Sequence, residues 1–216
     1  MKYKTVLFDL DGTLTDPEEG ICGSIQYALE KLGRPVEPME CYHKYIGPPL
    51  LYSFETYAKA TPEEAKELLK YYRERFSTVG LYENEVYPGI SELLRDLKSA
   101  GTKIAVATGK PTVFSEKILD HFHLRQYIDV VSGIPLDREP PDKCQVILRA
   151  LSALGVDDRK ECVMIGDRSH DAIGAKKAEI DFIGVLYGYG SREELEAEDA
   201  DTMVESVSSL RGLLLD

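Results

Sequence analysis

Two aspartates, Asp9 and Asp11, stand one residue apart at the end of a short apolar run, in the segment Phe8–Asp16 that reads FDLDGTLTD. A carboxylate can attack phosphorus and carry the phosphoryl group as an aspartyl-phosphate, and a neighbouring carboxyl group can move protons. The same pair can hold a hard cation, because Mg2+ takes one or two carboxylates together with the phosphate oxygens of its substrate. Gly12, lacking a Cβ, lets the backbone bend sharply and offer its N–H to an anion. The pair alone leaves two plainer readings open: Asp-Gly is a common turn dipeptide, and a D-x-D motif also holds nucleotide–metal complexes in binding or transfer proteins.

Three further groups have the right chemistry. In Ala107-Thr108-Gly109-Lys110, a hydroxyl and backbone N–H groups at a helix start would make an anion cradle; otherwise this is a plain strand–helix turn. Lys143 opens a helix after Pro140-Pro141-Asp142. A lone lysine is usually solvated, but here it can neutralise a transferring phosphoryl group. Gly166-Asp167-Arg168-Ser169-His170-Asp171 puts Asp167 after an apolar run and Asp171 four residues on, either to complete a Mg2+ shell or to cap a helix.

The elements that must position these groups follow from periodicity. Thr5-Val6-Leu7-Phe8 is unbroken and apolar, as suits a strand buried on both faces of a parallel sheet, whose ligands sit at the carboxyl ends of the strands. Glu18 to about Leu32 has helical spacing and stops at Gly33; Leu50–Ala58 and Pro62–Thr78 are also helical, the latter with Thr61 as N-cap and Pro62 in the first turn. Residues 16–85 therefore read as an all-helical inserted domain, in which Tyr42, Tyr45, Tyr52, Tyr57, Tyr71 and Tyr72 pack helices. Between those helices, Ile46-Gly47-Pro48-Pro49 makes a stiff turn able to hold backbone groups over a substrate.

After Tyr87-Pro88-Gly89 the pattern alternates. Helices are expected near Ile90–Ala100, Thr112–Phe122, Lys143–Leu154 and Asp171–Ala178, and Pro135–Pro141 as a loop. Strands are expected at Lys103–Ala107, Ile128–Val131, Cys162–Ile165 and Phe182–Val185. This is an α/β pattern: a Rossmann-like, doubly wound parallel sheet made by residues 1–15 and 86–216, with the helical cap inserted after the first strand.

Composition bounds the partners. The 216 residues carry a formal net charge of −12, and a sequence pI of about 4.9 gives no basic surface for nucleic acid or anionic membrane. A phosphorylated substrate would be repelled unless a divalent metal and a well-placed lysine supply positive charge. No run is long enough to span a bilayer, the N-terminus lacks a cleavable signal pattern, and Cys22, Cys41, Cys144 and Cys162 lie far apart. A cytoplasmic protein with reduced, mostly buried thiols is expected, and His121 and His123 are expected at the surface. Oligomeric state is not legible.

The four motifs FDLDGTLTD, VATGK, Lys143 and GDRSHD, in this order, resemble the haloacid dehalogenase superfamily, in its phosphatase branch with a helical cap. With IGPPL and GVLYGYGSREEL they are most similar to phosphoglycolate phosphatase-like and 5′-nucleotidase-like members. The resemblance implies Asp9 as nucleophile, Asp11 as general acid/base, and Thr108 and Lys143 as phosphate-binding groups, with Gly12 and Gly109 beside them. It implies Asp9, the Asp11 carbonyl and Asp167 as Mg2+ ligands, with Asp171 supporting them through water or the lysine. Many members carry the lysine as Lys-Pro, whereas this chain has Pro-Pro-Asp-Lys-Cys, so Arg138 and Lys110 are stand-ins for Lys143. The implied reaction is Mg2+-dependent hydrolysis of a small phosphorylated metabolite, phosphoglycolate-like or a nucleoside monophosphate. A proton-donating Asp11, protonated because it shares the site with other carboxylates, suits phosphate esters, since halide needs no acid. Alternatives are a phosphosugar mutase or a pyrophosphatase of the same superfamily and, outside enzymes, a receiver-type phospho-accepting domain.

Overall fold

Thr5–Phe8 (β1) is fully buried along its length, as its unbroken apolar sequence requires. In the computed structural model, which describes residues 2–136 and 141–215, the chain continues through the two-residue strand β2 (Thr15–Asp16) into α1 (Glu18–Lys31). A 3-10 turn at Met39–Tyr45 precedes α2 (Leu50–Thr56), α3 (Pro62–Arg75) and a wide π turn at Phe76–Gly80. After β3 (Glu85–Val86), helix and strand alternate: α4 (Ile90–Ser99), β4 (Lys103–Pro111), α5 (Thr112–His121), β5 (Val130–Ile134), α6 (Lys143–Ala153) and β6 (Cys162–Gly166). The C-terminal part comprises α7 (Ser169–Ala178), β7 (Asp181–Val185), α8 (Arg192–Glu196), β8 (Met203–Val204) and α9 (Val207–Leu215).

Two compact units result, one made of the chain up to Asp16 and from Val86 onward, the other of Pro17–Glu85. The first is a six-stranded sheet in the order β5-β4-β1-β6-β7-β8, parallel throughout. Phe8 sits in register with Val106 on one side and Ile165 on the other. The chain runs outward through β4 and β5, then returns to the far side of β1 at β6. That reversal makes the carboxyl ends of β1 and β6 the crevice where ligands bind in doubly wound, Rossmann-like sheets.

Period-two alternation assigns Leu7, Ala105, Ala107 and Met164 to one sheet face, where they are buried with Val146, Ile147, Ala150 and Leu151 of α6 and Ala175 and Ala178 of α7. Ile90, Leu93, Leu94 and Leu97 give α4 its buried stripe at helical spacing. The face of each helix is thus set by where its apolar residues recur.

In the second unit α3 begins as expected, with a Thr61–Glu64 capping box and Pro62 in the first turn. It ends at Arg75, three residues before the expected Thr78. There the backbone widens into the Phe76–Gly80 turn, whose Gly80 carbonyl lies against the glycine backbone of α1 at Gly20. Tyr42, Tyr45 and Tyr72 are buried, while Tyr52 is exposed and meets Tyr57 edge-on. Gly47 has a φ of +105°, and Pro49 precedes the first turn of α2. Residues 16 and 85 differ from the all-helical expectation: they lie in β2 and β3, which pair as a two-stranded sheet. Strands this short carry no alternation to read.

Of the cysteines, Cys22 and Cys162 are buried, Cys144 is half-buried and Cys41 is exposed, and no disulfide forms. No described helix is long and apolar enough to cross a membrane.

A Cβ added at Gly20 would lie 2.0 Å from the Gly80 carbonyl oxygen and 2.6 Å from that of Glu83. Gly20→Ala should therefore destabilise the second unit by about 1–3 kcal/mol through overpacking. Amide exchange should accelerate in residues 17–85 and stay near wild type in the sheet. Unchanged protection in 17–85 would show that the close approach is not needed.

Candidate active site

Asp9 is the first residue past β1, and the sheet delivers it to the crevice. Its Oδ1 accepts the Leu10 N–H at 2.8 Å and lies 3.0 Å from Lys143 Nζ. Lys143 is the first residue of α6, fixed there because Asp142 caps the helix by accepting the Gln145 N–H at 2.9 Å. Its ammonium also lies 2.6 Å from Asp171 Oδ1. Asp171 sits in the first turn of α7, where its Oδ2 accepts the Arg168 N–H at 3.2 Å. Asp167, directly past β6, is wholly buried and accepts from Thr13 Oγ1 at 3.3 Å and from the Tyr189 N–H at 2.8 Å.

Asp9, Asp167 and Asp171 each present an oxygen within 4.8 Å of the others. Three buried carboxylates thus face one ammonium. Burial, with repulsion from Asp171 and Asp9, pushes Asp167 up to about 8. Burial and Asp9 push Asp171 up to about 6 against the attraction of Lys143. Burial disfavours the charge on Lys143, but Asp171 and Asp9 outweigh it and hold its pKa above that of an ordinary lysine. A donor set of hard oxygens with surplus negative charge fits a hard divalent cation. The cluster can therefore hold a metal ion.

Asp11 is paired differently. Lys110 Nζ lies 2.7 and 2.6 Å from its two carboxylate oxygens, with both side chains largely shielded from solvent. Burial raises the Asp11 pKa although Lys110 opposes it, and Asp9 adds only a smaller push in the same direction. The expected cause, crowding by other carboxylates, is therefore secondary to burial.

Two expectations about anion-binding backbone are corrected. The Gly12 N–H is given to the Thr15 carbonyl at 2.8 Å, so it is not a donor held in reserve for an anion. Gly12 is needed for space and for its φ of +80°: a Cβ there would meet Asp167 Oδ2 at 2.3 Å. Thr108 and Gly109 do not stand at a helix start, because β4 continues to Pro111, pairing with β5 across a register shift between Ala107 and Pro111. Thr108 is buried near the carboxyl end of β4, and its Oγ1 accepts the Lys110 N–H at 3.2 Å; Gly109 is exposed. Of the lysine stand-ins, Lys110 is the partner of Asp11, and Arg138 lies outside the described residues.

Two supports of the cluster lie in the tail stretch GVLYGYGSREEL, which carried a resemblance but no sign of their role. Glu194 of α8 accepts from the Ser169 N–H at 2.8 Å, from Ser169 Oγ at 2.8 Å and from Arg168 Nε at 3.0 Å. It thereby serves the amino end of α7 from 25 residues away. Tyr189, in the tail motif GYG, reaches Asp167 through its backbone.

A parallel sheet carrying buried aspartates at the carboxyl ends of β1 and β6, with a lysine at the start of α6 beside them, is the frame of a Rossmann-like enzyme of the α/β class. Residues 6–185 match the family model described as haloacid dehalogenase-like hydrolase. The chain is 41% identical over 214 residues to a 5′-nucleotidase of Pseudomonas aeruginosa, covering 99% of this chain and 96% of that one. It is 38% identical over 191 residues to the tyrosine-protein kinase PtkA of Mycobacterium tuberculosis, covering 88% of this chain but 65% of that protein. The crystal structure of a predicted phosphatase from Clostridium acetobutylicum matches with a TM-score of 0.93 at 46% identity, over 99% of this chain and 98% of that one. The chain belongs to the haloacid dehalogenase-like hydrolase family.

Metal ligation requires the carboxylates to be ionised, and Asp167 holds its proton up to about pH 8 in the metal-free protein. Divalent-metal binding near pH 7 should therefore release a proton, and affinity should weaken as pH falls from 8 toward 6. Calorimetric titration in buffers of differing ionisation enthalpy measures that release. An enthalpy independent of buffer would contradict it.

Proposed function

We propose that the protein hydrolyses small phosphorylated metabolites, nucleoside monophosphates or phosphoglycolate-like acids, using Mg2+ and a phosphoryl group carried transiently on Asp9. The observation that carries this reading is Asp9 itself, a buried carboxylate at the end of the central strand, held by Lys143 beside Asp167 and Asp171. The acidity of the chain, with a net charge of −12, favours a small ligand over a long polyanion, since 38 Asp and Glu outnumber 26 Lys and Arg. The name of the Pseudomonas relative supports testing nucleoside monophosphates first.

Bound among the aspartates, Mg2+ would supply positive charge against the phosphoryl oxygens. Lys143 adds an ammonium already fixed 3.0 Å from Asp9, so the phosphate dianion and the nucleophile can approach each other. An Asp9 oxygen attacks phosphorus in line, the new O–P bond forms, and the bond to the leaving alkoxide breaks. Asp11 gives its proton to that oxygen; burial raises the pKa of its carboxyl above that of an ordinary aspartate, against the pull of Lys110. In the second step Asp11 takes a proton from water as the water attacks phosphorus. Inorganic phosphate leaves and the Asp9 carboxylate is restored.

Asp9→Asn removes the nucleophilic oxygen while keeping the side-chain shape, so turnover of every phosphate ester in a panel should vanish while the fold is retained. Substantial remaining activity would sink the assignment. In the wild-type enzyme, nucleoside monophosphates and phosphoglycolate should lead that panel in kcat/KM, ahead of phosphoproteins and nucleic acids.

Loss of a general acid/base typically lowers rate by about 10²–10⁴-fold. Asp11→Asn should show a loss in that range for alkyl phosphates, which need a proton on the departing oxygen, and a smaller one for activated aryl phosphates. Equal losses on both would remove Asp11 from the proton-transfer role.

A further inference from the structure

The segment Tyr187–Gly190, which follows β7, has no part in the chemistry above, yet its atoms meet both the acid cluster and the strand by which the chain leaves the first unit. Its Tyr189 N–H donates to Asp167 Oδ2 at 2.8 Å. The hydroxyl of the same residue donates to Asp16 Oδ1, and Asp16 is the last residue of β2 before the second unit begins at Pro17. Tyr187 makes a parallel link, its hydroxyl donating to the Thr13 carbonyl at 3.1 Å and its ring meeting Tyr87 edge-on at 5.0 Å. Thr13 donates its own side-chain hydroxyl to Asp167, and Tyr87 directly follows β3, where the chain returns.

The glycines on either side of Tyr189 make the approach possible. A Cβ on Gly188 would meet the Asp167 carboxylate at 2.6 Å and the Gly12 carbonyl at 2.3 Å. One on Gly190 would lie 1.7 Å from the Asp167 carbonyl oxygen. The segment is moulded to Asp167, and Tyr189 touches Asp167 at its backbone and Asp16 at its tip.

We propose that Tyr189 is a positioning residue that ties the metal ligand Asp167 to Asp16, so that metal affinity and the order of the Thr15–Asp16 strand rise and fall together. The proposal rests on the reading of Asp167 as a metal ligand. Groups that orient metal ligands from outside the first shell typically change metal affinity by about 10–100-fold when removed. Coupling between two sites is reciprocal, so an ordered Asp16 should strengthen metal binding and bound metal should order Asp16.

The test is Mg2+ binding to the metal-free full-length chain, measured by calorimetry, together with amide hydrogen exchange at Asp16 and Val86. Tyr189→Phe keeps the ring and the backbone N–H and removes only the hydroxyl. It should weaken Mg2+ binding on the order of tenfold, at the low end of that range, and abolish the slowing of exchange at Asp16 that Mg2+ produces in the wild type. Asp16→Ala should weaken binding similarly, Asp16→Asn should restore most of it because its amide oxygen still accepts, and Tyr189→Phe combined with Asp16→Ala should be no weaker than either alone. A Mg2+ affinity for Tyr189→Phe within twofold of wild type, or additive losses in the double variant, would overturn the proposal. Asp167→Asn separates the two readings: if it binds Mg2+ as tightly as wild type, Asp167 is not a ligand, and it is the premise that fails.

Discussion

The ammonium of Lys143 is the charge on which the site depends. Asp9 and Asp171 arrive from different strand–helix junctions, and both lie within 3.0 Å of its Nζ in a region closed to solvent. Removing one partner of a buried ion pair leaves the other uncompensated at about 3–5 kcal/mol, and here one cation serves two anions. Its location in turn requires α6 to begin at that residue and no other. The Asp142 cap ensures this, and Asp142 accounts for the spelling Pro-Pro-Asp-Lys: the residue directly before the lysine is the one that starts its helix. The second anion requires α7 to begin at Ser169, where Asp171 accepts the Arg168 N–H and Glu194 accepts the Ser169 N–H.

A second ammonium solves a related problem. Asp9 and Asp11 stand close together in the chain, and two ionised carboxylates near each other in a medium of low dielectric would each suppress the other's ionisation. The fold gives each its own lysine from a different element: Lys143 from the start of α6 for Asp9, Lys110 from the end of β4 for Asp11. The two lysines offset Asp9 and Asp11 one for one, and the negative charge left over is that of Asp167 and Asp171, where a cation fits. The separation also gives the two carboxylates different surroundings. Asp9 sits in the acid cluster, while Asp11 stands apart from it, with its pKa set chiefly by burial.

What could be read from the sequence was whatever is local. The run Thr5–Phe8 announces a buried strand, and strand ends in such sheets are sites, so Asp9 and Asp167 could be placed before any coordinates. Thr61-Pro62 fixes the start of α3, and Pro-Pro-Asp before Lys143 marks the start of α6 for the same local reason. What could not be read depends on partners far away in the chain. The pairing of Lys110 with Asp11 spans 99 residues, and nothing in T-G-K distinguishes a lysine that grips a carboxylate from one that waits for phosphate. The extension of β4 past Thr108 is decided by its neighbour β5, not by its own glycine, which reads as a break. The Gly12 N–H looks available until the turn closes on Thr15. The motif GYG contributed to a family resemblance but gave no hint that its glycines are shaped around Asp167.

Function and stability pull against each other at this place, and the fold shows how the conflict is contained. Asp167 is buried with a pKa raised to about 8, an arrangement that costs folding free energy in proportion to how strongly it favours a cation. The cost falls on the carboxyl ends of β1 and β6, whose residues Val6, Leu7, Phe8, Val163, Met164 and Ile165 have no exposure at all. Burial of a single such side chain contributes about 1.5–3 kcal/mol, so neighbouring strands can hold crowded carboxylates that a surface loop would let swing apart into water. The same rigidity makes the cluster useful. Carboxylates that cannot move away from one another are relieved only by a proton or a cation, and this is why the most buried part of the sheet, rather than a flexible loop, holds them.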